Sequence, residues 1–244
     1  MKKEILVIIP SLNEEKAIGD VIDGIKKNLG DCDVLVIDGY SRDNTVAVSL
    51  AHGAEVIQVD KAFGIAAAVE AGILQAYRGN YNYLVRIDAD GQHPPSEVKK
   101  LLTPLMTGEA DFVIGSRFLG EADYSPNLLR NVSISTICFL LRALHHVKIT
   151  DCTSGCQIYT REVIAFFAQD KNFEYSEIRA IWMAHKAGFK IKEEFINMAP
   201  RLTGVSSFSP MVAFFYMFKN ILDLILSVPI ALKKPLRIKR SATT

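Results

Sequence analysis

The segment Arg86-Ile87-Asp88-Ala89-Asp90-Gly91-Gln92-His93-Pro94-Pro95 places two carboxylates one residue apart at the end of an apolar run. Carboxylate oxygens are hard ligands, and a small divalent cation held by one or two of them keeps open positions for the phosphates of a substrate. If residues 83–87 form a buried strand, Asp88 and Asp90 sit where that strand leaves its sheet, the place where open α/β sheets bind ligands. Asp and Gly are also ordinary turn residues, so the triplet alone is a weak signal. Its meaning depends on the other polar segments of the chain and on the elements that present them.

Those elements alternate. Residues 5–9 read as a strand ended by Pro10, followed by a turn over 11–15 and a helix over 16–28 with Ile18, Val21, Ile22 and Ile25 on one face. A strand over 33–37 stops at the polar loop Asp38-Gly39-Tyr40-Ser41-Arg42-Asp43-Asn44-Thr45, which leads into a helix over 45–52. A strand over 55–59, a helix over 64–78 rich in Ala and Gly, a strand over 83–87, a helix over 95–107 and a strand over 111–115 follow. This alternation predicts an α/β architecture with a mainly parallel sheet covered on both faces.

The chain has 244 residues, enough for one large α/β domain with a short appendage. A net charge of +1 offers no general attraction for nucleic acid. Of the four cysteines only Cys152 and Cys156 are close in sequence, and no second pair completes a zinc site, so free thiols in a reducing compartment are expected. The apolar stretch 5–10 is too short for a secretory signal core, which points to the cytoplasm.

Six segments stand in order along the chain: Pro10-Ser11-Leu12-Asn13-Glu14-Glu15, Asp38 through Thr45, Asp88 through Pro94, Gly115-Ser116-Arg117-Phe118, Asp151-x-Thr153-Ser154-Gly155, and Arg201-x-x-Gly204-x-Ser206. Together they resemble the family 2 glycosyltransferases of GT-A fold, and within them the dolichyl or polyprenyl phosphate sugar (mannose or glucose) synthases. The resemblance covers roughly residues 5–210. It implies a Rossmann-like sheet flanked by helices, and inverting transfer of a hexose from a nucleotide-sugar donor with Mg²⁺ or Mn²⁺. It also implies that Asp90 and Gln92 hold the cation. Pro10, Leu12, Glu14, Ile37, Asp38, Asp88, Ala89, Asp90 and Arg117 would surround the nucleotide sugar. Arg117, Arg130 and Arg201 would gather donor and acceptor phosphates, completing the catalytic set with Asp90. The chain departs from the family pattern at Asp38-Gly39, where two adjacent acids are common, at the bulky Tyr40, and at Ser206-Ser207, where a Lys often follows the Ser. The donor base, uridine or guanosine, stays open.

A polyprenyl phosphate acceptor is already an anionic nucleophile, so its attack depends on positioning and charge neutralisation. A sugar hydroxyl, the acceptor of a glycan-extending enzyme, instead needs a carboxylate within hydrogen-bond reach, and Asp151, Glu174 and Glu177 are available. A non-catalytic sugar-nucleotide-binding protein is the third reading.

Residues 209–232 are apolar except for Tyr216, Lys219, Asn220, Asp223 and Ser227, which share one narrow stripe at about 100° per residue. Lys219 and Asp223 fall mid-segment, where a membrane span bears charges at high cost. The pattern predicts an amphipathic interfacial helix followed by a basic tail, Lys233, Lys234, Arg237, Lys239 and Arg240, suited to an anionic membrane surface. The chain then divides into a catalytic domain, 1–207, and an interfacial segment, 208–244, at the cytoplasmic face of the cell membrane. Packing of this helix on the protein's own core, or on a second copy in a homo-oligomer, is the alternative. A second apolar helix over 126–144 would join it beside Arg130, with His145 and His146 as polar terminal residues.

Overall fold

The apolar runs of the first half become four strands, β1 (Ile5–Ser11), β2 (Cys32–Asp38), β3 (Glu55–Gln58) and β4 (Tyr83–Arg86), all parallel and ordered β3-β2-β1-β4. The computed structural model describes residues 3–60, 64–120, 128–170, 174–198 and 210–227, without the side chains of 128–130 and 210–217. Side chains alternate across a strand. One face therefore receives Leu6, Ile8, Leu35, Ile37 and Leu84, and the other Val7, Ile9, Val34, Val36 and Val85.

The second face is covered by α1 (Ile18–Leu29) and α4 (Pro95–Met106), with α2 (Thr45–Ala51) packed beside α1. The expected stripe Ile18, Val21, Ile22 and Ile25 is the buried one. On the first face lies α3 (Gly64–Arg78). A Cβ on Gly72 of α3 would meet Ile8 Cδ1 at 2.6 Å and Ile37 Cδ1 at 2.9 Å, so the helix packs closely on the sheet and a larger residue there would make these side chains shift.

Three more strands extend the sheet beyond β4 in the order β6-β5-β7: β5 (Phe112–Ser116), β6 (Gln157–Thr160) and β7 (Ile191–Phe195). β6 runs antiparallel to both β4 and β5, while β7 is parallel to β5, so the sheet is mostly parallel, as the sequence predicts. The first face is completed by α5 (Leu128–His145), α6 (Arg161–Gln169), α7 (Glu177–Lys186) and α8 (Pro210–Leu226), around Phe112, Tyr159, Phe167 and Trp182. All four cysteines are free thiols.

The C-terminal helix is oriented in a way that its stripe alone does not specify. α8 packs on α5 and α7 with Leu224, Asn220 and Ser227 buried, so much of the polar stripe faces the protein. Ser176 Oγ donates to Asn220 Oδ1 at 3.0 Å, and Lys186 Nζ to the Ser227 carbonyl at 3.0 Å. His145, at the end of α5, stacks on Trp182 and reaches the Leu224 carbonyl through Nε2 at 3.0 Å. The apolar Phe218, Leu222, Ile225 and Leu226 are left exposed, as are Val132 and Phe139 of α5. Among the described residues no helix is long and apolar enough to cross a membrane. The basic tail, 233–240, lies outside the described residues.

Candidate active site

Strand register assembles the site. Pro10 pairs with Ile37, Ser11 with Asp38, and Ile8 with Arg86, so the segments after β1, β2 and β4 emerge side by side at the carboxyl edge of the sheet. The first two are laced together. Asn13 N–H donates to Ser41 Oγ at 2.8 Å and Asn13 Oδ1 accepts Arg42 N–H at 2.8 Å. Glu14 N–H donates to Thr45 Oγ1 at 2.8 Å, and Glu15 Oε2 accepts from both nitrogens of Asn44 at 2.9 Å. Asn13 and Tyr40 hold left-handed backbone, φ 56° and 58°. Such φ values are uncommon for non-glycine residues, and Asn tolerates them better than Tyr. Burial works against the charge of Asp43, but hydrogen bonds from Thr45 and the Glu15 amide prevail and hold its carboxyl below the usual range. The Asp38 carboxylate is buried, accepting from Ser41 N–H at 3.0 Å, Ser41 Oγ and Gln58 Nε2 at 3.0 Å.

The Asp88-Ala89-Asp90 turn follows β4. Asp90 is buried, its Oδ1 accepting Gln92 N–H at 3.0 Å across Gly91, which has φ 75°. Asp88 lies between two constraints: Arg86 Nη2 is 3.5 Å from its Oδ1, and a Cβ on Gly155 would come within 2.0 Å of its Oδ2. Oδ1 of Asp88 has no hydrogen bond. His93 is buried next to the turn; burial lowers its pKa against the pull of Asp88 and Asp90, so the imidazole is neutral, and its Nδ1 has no partner. Among the described residues no group of three or more His, Cys, Asp or Glu side chains forms a metal cage. Asp90 and Gln92 instead offer the sparse oxygen donors with which Mg²⁺-like cations are held when substrate phosphates supply the remaining positions.

Arg117, just after β5, is buried and forms a bidentate pair with Asp151: Nε to Oδ2 at 2.6 Å and Nη2 to Oδ1 at 2.7 Å. Nη2 also donates to Thr153 Oγ1 at 2.7 Å. Asp151 is fully buried and its own N–H donates to Glu193 at 2.8 Å, with burial raising the pKa of Glu193. The Asp151–Gly155 segment is thereby clamped between β5 and the Asp88 turn.

A family model described as "Glycosyl transferase family 2" matches residues 6–167, the span that carries the loops after β1, β2 and β4 and the Arg117–Asp151 pair. The chain belongs to glycosyl transferase family 2. It is 32% identical over 214 residues to the polyprenol monophosphomannose synthase of Mycolicibacterium smegmatis, covering 84% of this chain and 80% of that protein. It is 26% identical over 188 residues to the UDP-N-acetylglucosamine–dolichyl-phosphate N-acetylglucosaminyltransferase of Methanococcus voltae, covering 68% and 73%. Glucosyl-3-phosphoglycerate synthase from Mycobacterium tuberculosis, solved with Mn²⁺ and UDP-glucose, shares the fold with a TM-score of 0.65 at 23% identity, over 93% of this chain and 79% of that one. The chain is thus a hexosyltransferase of GT-A fold that resembles the polyprenyl phosphate sugar synthases.

In this transferase the sequence-predicted donor residues Pro10, Leu12, Glu14, Ile37, Asp38, Asp88, Ala89 and Asp90 converge on one edge of the sheet. Ile37 and Ala89 are sealed in the core, which leaves only their backbone to offer to a ligand. Arg117 faces Asp151, a partner that spacing along the chain does not reveal. Arg130 lies in the first turn of α5, with its side chain outside the described residues, and Arg201, Gly204 and Ser206 are outside them altogether.

Sequence reasoning assigned no role to Arg86, His93 or Gly155. Arg86 is almost fully buried at the end of β4, with Nη1 donating to Glu177 Oε1 at 2.8 Å and to the Tyr175 hydroxyl. Burial disfavours its charge, but Tyr175, Glu177 and Asp88 outweigh that and raise its pKa above the ordinary value. A charged residue inside an apolar run directly before two acids was the available signal.

Proposed function

We propose that this transferase moves a hexose from a nucleotide sugar to a polyprenyl phosphate at the cytoplasmic membrane face. The observation that carries the reading is the Asp88-Ala89-Asp90 turn at the exit of β4, flanked by the laced loops 12–15 and 38–45. Asp90 and Gln92 would hold Mg²⁺ or Mn²⁺, whose chemistry is to neutralise charge on the leaving diphosphate. Asp88 would accept from the nucleotide, and the loops after β1 and β2 would frame it.

The choice of acceptor follows from the carboxylates. Asp151 is paired with Arg117, Glu177 with Arg86, and Glu174 with Lys219. A carboxylate bound to a cation is a weak base, and an acceptor that is already anionic needs none. The named relatives that act on a polyprenol phosphate or a dolichyl phosphate support the same choice. The outward apolar residues of α5 and α8 suit a lipid surface, with 208–244 as the interfacial segment and its basic tail on anionic headgroups. Arg130 and Arg201 would meet the acceptor phosphate.

The test is incubation with labelled UDP- and GDP-sugars and membrane lipids. Label is expected to enter the organic phase only with Mg²⁺ or Mn²⁺ present, and not with Asp90→Asn. Label appearing solely in a water-soluble glycan would replace the lipid acceptor with a sugar hydroxyl. Binding of the donor without transfer to either would leave a binding protein.

A further inference from the structure

Alternation along β4 sends Arg86 to the same face as Leu84, toward α3 and α7, where an aliphatic residue would complete the core. A guanidinium there must be neutralised to be tolerated. Two carboxylates share the task on unequal terms. Glu177 makes a direct bond at 2.8 Å, whereas Asp88 is held at 3.5 Å from Nη2 with no hydrogen bond to its Oδ1, and Arg86 Nε–H also lacks a partner. The Tyr175 hydroxyl accepts from Arg86 and donates to Gln157 Oε1 at 2.8 Å, and its ring lies 5.3 Å from the guanidinium carbon. The contact with Asp88 is therefore attraction across a gap, while the contact with segment 174–177 is closed.

Tyr175 is also part of the wall of a cavity of about 240 Å³ between the start of α3, segment 174–176 and α8, where Ser176 and Asn220 meet. One buried cation thus faces the first carboxylate of the Asp88-Ala89-Asp90 turn at 3.5 Å on one side and bonds to this wall through Tyr175 on the other. We propose that Arg86 is a positioning residue that holds Asp88 ready for the donor and couples its state to segment 174–177, so that donor occupancy and the arrangement of the cavity wall depend on each other. The inference rests on the donor-binding role of Asp88 given above. A nucleotide donor group that draws on Asp88 leaves Arg86 with less compensation from that side, and its interaction with Glu177 and Tyr175 strengthens. By reciprocity, a change at Tyr175 alters donor affinity by the same factor.

The experiment is a double-mutant cycle read by UDP and GDP binding in the presence of Mn²⁺, using wild type, Arg86→Met, Tyr175→Phe and the pair. Arg86→Met is expected to weaken the preferred nucleotide by about fivefold or more, the lower end of coupling between sites. Tyr175→Phe should weaken it in the wild-type background by about threefold, although its hydroxyl faces Arg86 and Gln157, and should have no effect once Arg86 is gone. If Arg86→Met does not fold, as judged by near-UV circular dichroism, Arg86→Lys replaces it in the cycle and is expected to retain part of the coupling. Multiplicative effects, or unchanged affinity in Tyr175→Phe, would reduce Arg86 to a buried structural ion and overturn the inference alone. Binding of neither nucleotide to wild type would overturn it together with the functional reading.

Discussion

The first and the second half of this transferase are built on different logic. In the first half β1 to β4 form a parallel sheet, and the polar loops that directly follow β1 and β2 bond to one another through amides and short side chains. The described residues within 112–227 are organised by ion pairs and hydrogen bonds that join groups far apart in sequence: Arg117 with Asp151, Glu193 with the Thr150 and Asp151 amides, His145 with the Leu224 carbonyl. The first half places its chemistry by strand register and the second by charge pairing. Mutations should accordingly fail in different ways, by losing ligand in one and by losing structure in the other.

The largest separation is expected at Asp90. Asp90→Asn should lower kcat/KM by about a thousandfold or more, the scale of losing a group that stabilises transition-state charge, with unchanged thermal stability. Excess chelator should mimic it. Full activity in either case would overturn the proposed metal role of Asp90 and Gln92. At the other extreme of mechanism, Asp151→Ala strands the Arg117 guanidinium in the core and should cost about 3–5 kcal/mol of unfolding free energy in urea titration. A stable but inactive variant would move Asp151 from structure to chemistry.

Gly155→Ala sharpens the comparison because Gly155 belongs to the second half and touches the first. Its Cβ would need the space of Asp88 Oδ2, so donor affinity should fall by about tenfold with a stability loss of about 1–3 kcal/mol, the usual range for overpacking. An effect on stability alone would mean that Asp88 moves aside without consequence.

These contrasts track what was legible in the sequence. In the first half the apolar runs are flanked by Pro10, Asp38 and Asp88, so strands and loops could be located to within a residue or two. β6 was missed because its four residues pass without a break into α6 at Arg161, and β7 because Lys192, Glu193 and Glu194 disguise a half-buried edge strand. The burial of Arg86 and the pairing of Arg117 with Asp151 depend on contacts 89 and 34 residues apart, which no local pattern encodes. The stripe on α8 was visible, but a stripe does not say which side is wet, and the partners that turn it inward, Ser176, Lys186 and His145, come from other elements.

Two smaller effects probe that inward turn. Leu222→Ser with Leu226→Ser should weaken binding to anionic vesicles by about tenfold or more in flotation, since both exposed side chains would lose lipid contact. An unchanged result would assign the face to a second copy of the chain, checked by light scattering. The smallest effect concerns pH. Burial holds the His145 pKa below its ordinary 6.5, so the unfolded chain takes up the proton first. The stability contributed by neutral His145 is complete above about pH 6.5 and is lost as pH falls through the folded value. Between pH 7.5 and 5.5 the wild-type Tm should drop by about 2–4 °C more than that of His145→Gln. Parallel curves would show that α8 docks without regard to the charge of His145.

The lacing of loops 12–15 and 38–45 has a thermodynamic consequence. Asn13, Glu15 and Thr45 already hold the surrounding backbone amides, so a nucleotide binding there as proposed would meet a frame whose chain entropy was lost during folding. Association should therefore proceed as a single bimolecular phase, without the slow unimolecular step that loop ordering introduces. Substituting Asn13 by Gly, which keeps the left-handed backbone but removes the Oδ1 bridge to Arg42, should add such a step and slow nucleotide capture more than nucleotide escape.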